Sequence, residues 1–165
     1  MDKPQIPHRS ARWYLLLALF IFIADQITKW WAQVNLPMGQ SLAVTHFLNW
    51  TLVYNPGAAF SFLSQAGGWQ RWFFTIIGIV AAVVIIWLLQ KNIHDRPFCI
   101  ALSLILGGAI GNVLDRLLYG AVVDFIDVHY SGWHWPAFNI ADSAISIGAT
   151  LIVINEIRRG LLQRA

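Results

Sequence analysis

The sequence predicts an all-α membrane protein in which four transmembrane helices carry a small β or re-entrant element at one membrane surface. Three observations predict it. Only 12% of the 165 residues are charged and 58% are hydrophobic, against about 25% charged residues in a soluble domain. Four apolar runs are each long enough to cross a hydrocarbon core of about 30 Å. Lysine and arginine gather at the ends of those runs, as membrane topology requires. A soluble protein with a large core would need polar amphipathic faces, which these runs lack. The mean hydropathy is +0.59, and the length suits a single integral membrane domain over residues 1–165.

Met1 to Arg12 is polar and basic. Trp13 to Ala24 is wholly apolar, and the apolar character continues through Ile27, Trp30 and Trp31 with no small-x-small cleavage site. The reading is an uncleaved first span over about residues 13–33 rather than a removed signal peptide. Residues 34–69 hold no charged group and are broken by Pro37, Gly39, Pro56, Gly57, Gly67 and Gly68, so they do not span. Leu48 to Tyr54 has the β-branched and aromatic character of a strand. The second span covers about residues 70–90 and is followed by a short polar connector. The third covers about 97–117, where Gly107, Gly108 and Gly111 allow close helix approach. Residues 118–139 form a second irregular segment, and the fourth span covers about 140–158.

Eight of the eleven lysines and arginines lie in the two tails and the middle connector, Arg164 among them. The positive-inside rule then puts both termini in the cytoplasm and both irregular segments on the opposite face. Although the formal charge is +3, the basic residues form no stripe, so no nucleic-acid partner is expected. The lone Cys99 excludes an internal disulfide, a thiol dyad and a cysteine zinc site, and is expected to pack.

The chemistry concentrates between Asn112 and Asp142, which hold Asp115, Asp124, Asp127 and Asp142, four of the eight acids, with Arg116 and Asn139. Acids in apolar surroundings are costly unless paired or used. The topology lets Asp124, Asp142, Asn112, Arg116 and Asn139 converge near one membrane surface. Two close carboxylates hold one proton between them, so one can act as base toward water and the other as acid toward a carbonyl. Arg116 and the asparagines would position groups or stabilise developing negative charge. Structural roles compete. Asn139 and Asp142 also read as a helix N-cap and a first-turn acid, and the residues alone leave both readings of Asp142 open. Asp124 could equally be a solvated loop acid. The structural reading is preferred for Asp127, as a solvated loop acid, and for Asp115, as a partner of Arg116 or of a lipid-side lysine. Asp25 and Lys29, spaced i, i+4, read as an intrahelical ion pair. His129 and His134 with the nearby acids lack a zinc-site spacing, so no metal or cofactor is expected.

Five ordered blocks carry a resemblance: Asp25-Gln26-x-x-Lys29, Tyr54-Asn55-Pro56-Gly57-Ala58-Ala59-Phe60-Ser61, Gly107-Gly108-Ala109-x-Gly111-Asn112-x-x-Asp115-Arg116, Val122-Val123-Asp124-Phe125-Ile126-Asp127 and Phe138-Asn139-Ile140-Ala141-Asp142-Ser143. Together they resemble bacterial lipoprotein signal peptidase (signal peptidase II). The resemblance implies an aspartyl endopeptidase of the bacterial inner membrane, with its active site toward the periplasm. Such an enzyme removes signal peptides from diacylglyceryl-modified prolipoproteins by cutting before the lipidated cysteine. It implies Asp124 and Asp142 as the catalytic pair, and Asn55, Asn112, Arg116, Asn139 and Asp25 as supporting positions. Membrane phospholipid is the expected surrounding partner, and the chain is expected to act as a monomer. Residues 54–61 are read as part of a cover over the bound peptide. The rival classes are a proton-coupled transporter, which calls for midplane acids and internal repeats, a non-catalytic scaffold and a metalloprotease.

Overall fold

The structure, a computed structural model, describes residues 11–57 and 68–162. The first ten residues, Arg164 and the Ala58–Ser61 part of the expected cover lie outside them. Four long helices form the bundle: α1 (Arg12–Asn35), α2 (Trp69–Lys91), α3 (Arg96–Tyr119) and α4 (Ile140–Leu162). All four are long and apolar enough to cross a membrane.

Local chemistry sets their ends. Pro37 disfavours helical backbone at the residue before it, and Leu36 is accordingly extended, at φ −105° and ψ 131°, closing α1. Asp95 caps α3 by accepting from Phe98 N, and Gly120 ends that helix in the left-handed region, at φ 77°. The C-terminal ends of α1 and α3 and the N-terminal ends of α2 and α4 therefore share one face of the bundle. At the opposite face the α2–α3 connector is tied to α4 by an Asp95–Arg159 ion pair.

Helix α3 is central: 50% of its apolar window is buried, against 17–22% in the other three helices. The outer helices expose Trp13, Phe20, Ile76, Val83 and Val153 outward, an apolar surface suited to lipid rather than water. Tyr14, Ala18, Ile85, Leu89, Cys99, Leu102 and Leu106 form one core cluster in the half of the bundle away from the irregular segments. Cys99 is packed there, its Sγ donating to the Asn92 carbonyl at 3.1 Å. Small residues bring the helices together. A Cβ on Gly107 would lie 2.5 Å from the Ala18 carbonyl of α1, and one on Gly108 would strike the Ala141 carbonyl of α4.

The irregular segments pair into one antiparallel sheet in the order β1 (Ser41–Ala43), β2 (Leu48–Asn55), β3 (Val122–Tyr130), β4 (Trp133–His134). The strand expected at Leu48–Tyr54 is β2. The central strand β3 is an addition to the sequence reading. Its residues from Val122 to Phe125 are buried on both faces, so the alternation that marks a half-exposed strand is missing. Asn49 faces Asp127 and Val53 faces Asp124 across the β2–β3 ladder, with an irregularity between Trp50 and Val53. Ala32, Leu36, Leu52, Val123 and Phe125 form a second core that seats the sheet on α1. Phe138 closes a bridge to Ile126, which places Asn139 beside β3.

Replacing Gly108 by alanine is expected to lower stability by about 1–3 kcal/mol, because the added methyl meets backbone that cannot swing aside. Gly160→Ala, which meets nothing within 4 Å, should be neutral or stabilising by up to about 1 kcal/mol through helix propensity. Thermal unfolding of the two variants in detergent, side by side, checks the contrast.

Candidate active site

Between the two apolar cores lies a layer of polar side chains from α1, α3, β2, β3 and α4. One of its members is Lys29, whose side chain is 1% exposed. The ammonium sits 2.8 Å from Asp25 Oδ2, 2.8 Å from Asp115 Oδ2 and 2.9 Å from Asn112 Oδ1. All three of its donors are thereby used. Both carboxylates reach further. Asp25 Oδ1 accepts from Ala141 N of α4 at 2.9 Å, and Asp115 Oδ2 accepts from Val123 N of β3 at 3.1 Å. Gln26 joins them, donating to Asp25 Oδ2 and Asp115 Oδ1 at 3.1 Å each. Gly111 has no Cβ because Asp25 Oδ2 occupies that space.

Asn112 and Asn139 connect this cluster to Asp124 and Asp142. Asn112 Nδ2 donates to Asp142 Oδ1 at 2.8 Å. Asn139 Nδ2 donates to Asp124 Oδ1 at 2.7 Å and lies 3.3 Å from Asn112 Oδ1. Asn139 is also the N-cap of α4: its Oδ1 accepts from Asp142 N at 2.9 Å, and its own N donates to Asp142 Oδ2 at 3.3 Å. This reciprocal pair is a capping box. Asp142 thus caps the helix and also stands in the polar layer, so its two sequence readings do not exclude each other. From β2, Asn55 Nδ2 donates to Asp124 Oδ2 at 3.0 Å, while Asn55 Oδ1 accepts from Gly57 N at 2.9 Å and turns the chain.

Asp124 is 1% exposed, whereas Asp142 is partly open. Burial, reinforced by the charge of Asp142, pushes the Asp124 carboxyl up to about 7, against hydrogen bonds from Asn55 and Asn139 and the charge of Lys29. Arg116 stands over the Phe74 ring at 5.3 Å, donates to the Asn112 carbonyl at 3.2 Å, and feels the charges of Asp142, Asp124 and Asp115. Its Nε is buried with no hydrogen-bond partner among the described residues.

The structure thus brings Asp124, Asp142, Asn55, Asn112, Arg116, Asn139 and Asp25 into one layer. Two structural expectations change. Asp115 pairs with the fully enclosed Lys29 instead of Arg116 or a lipid-side lysine, since adjacent helical residues do not face each other. Asp127 is a buried strand residue, held by Asn49 Nδ2 at 2.8 Å and His134 Nδ1 at 2.8 Å. Burial pushes its carboxyl up, but these partners outweigh burial and hold it below the usual carboxylate range. The Asp25–Lys29 ion pair forms as expected. Gln26 stands in the first of the five sequence blocks but carries no assigned role there; its contacts to Asp25 and Asp115 supply one.

The family described as signal peptidase (SPase) II matches residues 17–158 of this chain. The chain belongs to that family. Lipoprotein signal peptidases of Polynucleobacter necessarius and of a Janthinobacterium species are each 61% identical to it over 146 residues, or 88% of this chain and 90% and 88% of theirs. Two solved bacterial membrane enzymes share the fold. One matches at a TM-score of 0.78 with 39% identity, covering 88% of this chain and 87% of its own, and the other at 0.76 with 40% identity, covering 86% and 90%. A signal peptidase II is an aspartic-type protease, so the chain is a membrane-spanning enzyme of that chemistry.

The raised Asp124 carboxyl has a consequence for stability. An unfolded aspartate titrates near about 4, and here the folded value lies above it, at about 7. Its contribution is therefore fully present below about pH 4 and lost as pH rises toward 7. Asp124→Asn should abolish that loss, so the variant gains on the wild type between pH 4 and 7 and keeps a constant margin above. Unfolding temperatures across pH 4–8 in one detergent measure it.

Proposed function

We propose that this chain removes signal peptides from diacylglyceryl-modified prolipoproteins by cutting before the lipidated cysteine, with water activated by Asp124 and Asp142. The observation that carries this reading is the pair itself. Two carboxylates are bridged by Asn112 and Asn139 at one end of a membrane bundle, one buried and the other open to water. Asp124 carries the shared proton, consistent with its burial. Asp142 takes a proton from water as the oxygen attacks the scissile carbonyl carbon, and Asp124 gives its proton to the carbonyl oxygen. The resulting gem-diol collapses: Asp124 takes back a proton from one hydroxyl as the carbonyl re-forms, the C–N bond breaks, and the proton held by Asp142 goes to the leaving amine of the cysteine. Arg116, whose buried Nε has no hydrogen-bond partner among the described residues, supplies a donor to the oxygen that gains negative charge.

The acyl chains of the substrate stay in the bilayer while its scissile bond enters the layer between sheet and helices. Asn55, Pro56 and Gly57 begin the cover over the bound peptide. The distribution of lysine and arginine favours both termini in the cytoplasm and the site on the opposite face, which for an enzyme of the bacterial inner membrane is the periplasmic face. Phospholipid surrounds the outer helices, and the chain works as a monomer.

Detergent-purified protein should cut a diacylglyceryl-modified prolipoprotein before the cysteine. Asp124→Asn and Asp142→Asn should each lose about a hundredfold to ten-thousandfold in kcat, and a chelator should change nothing. Activity should fall on the alkaline side as the pH passes about 7, where Asp124 loses its proton. Full activity in either folded variant, or loss with the chelator, rules the pair out.

A further inference from the structure

We infer that Lys29 is a positioning residue for the aspartate pair, fixing which end of the Asn112 amide faces Asp142. The inference rests on the aspartyl reading proposed above. An ammonium can only donate, and Lys29 directs its three donors at Asp25, Asp115 and the Asn112 oxygen. With Oδ1 held by Lys29, the only part of Asn112 left for Asp142 is Nδ2, and that contact is 2.8 Å long. The reversed amide would set N–H against N–H at Lys29 and oxygen against oxygen at Asp142. The conflict at Lys29 cannot be relieved by solvent, because Lys29 and Asn112 are both buried.

The same choice passes to the second carboxylate. The Asn112 oxygen that accepts from Lys29 also lies 3.3 Å from Asn139 Nδ2, which donates to Asp124 Oδ1. A residue of α1, apart from the reacting atoms, thereby presents N–H groups to both carboxylates. The lysine is held in place by Asp25 and Asp115, which, besides accepting from Gln26, accept from backbone N–H groups of α4 and β3, the elements that carry Asp142 and Asp124. The charged groups around Asp124 are Lys29 from α1, Arg116 from α3 and Asp142 from α4, with neutral Asn55 facing it from β2.

The test is a cycle of variants of the full chain in the prolipoprotein cleavage assay. Lys29→Met combined with Asp115→Asn removes one positive and one negative charge, so the cluster keeps its net charge. Asn112→Asp leaves an acceptor for Lys29 but removes the N–H to Asp142. Each change should lower kcat by about tenfold or more with KM within about twofold, and the lysine variant should move the alkaline limb above its wild-type position near pH 7. Combined, the losses should not multiply, since both break one chain of contacts. Multiplying losses, or a folded lysine variant with wild-type kcat and pH profile, would overturn the inference. If the lysine variant does not fold, Asn112→Asp decides alone: unchanged kcat overturns the inference, and lowered kcat with a near-native unfolding temperature supports it. Asp142→Asn in the same assay reports on the aspartyl reading separately, since full activity there removes the pair itself.

Discussion

A lysine with no access to water and two carboxylates 2.8 Å from its nitrogen sits where four elements meet, and the arrangement of the active layer depends on it. Taking such charges out of water costs several kcal/mol per ion, which good geometry and further hydrogen bonds must offset. Here every lysine donor has an acceptor, and both carboxylates also bind backbone N–H groups. Removing one member would strand the others, so the cluster acts as a single constraint. It fixes α1 against α3, α4 against α1 and β3 against α3.

Around that constraint the two aspartates occupy unlike surroundings. Asp124 lies on a strand buried on both faces, and Asp142 lies in the first turn of a helix, where the backbone dipole favours negative charge. One sequence block supplies the strand and another the helix start, and Phe138 ties them by bridging to Ile126. Asn139 follows it in the chain and therefore serves both acids. The sheet contributes more than a floor. Asn49 and His134 hold Asp127 at one end of β3, and Asn55 reaches Asp124 at the other.

Several of these features were legible in the sequence and others were not. Asp25 and Lys29 lie one helical turn apart, so their pairing follows from helical spacing alone. Leu48–Tyr54 showed its strand character through β-branched and aromatic residues. Strand β3 did not, because the pattern that identifies a strand assumes one exposed face, and Val122–Phe125 has none. Asp115 stood beside Arg116 in the chain and suggested the wrong partner. Neighbouring helical side chains diverge, and the nearest cation in space belongs to α1.

The sequence by itself determined the four spans and the set of residues available for chemistry. Each of these depends on local properties: the length of an apolar run, a proline after Leu36, an aspartate before Phe98. The tertiary structure alone decided which acid meets which donor. The contacts that assemble the active layer join residues 83 and 116 positions apart, Lys29 to Asn112 and Asp25 to Ala141. Their existence depends on how closely α1, α3 and α4 approach, which Gly107, Gly108 and Gly111 permit. Composition names the participants in such a cluster, but close packing in three dimensions assigns their partners.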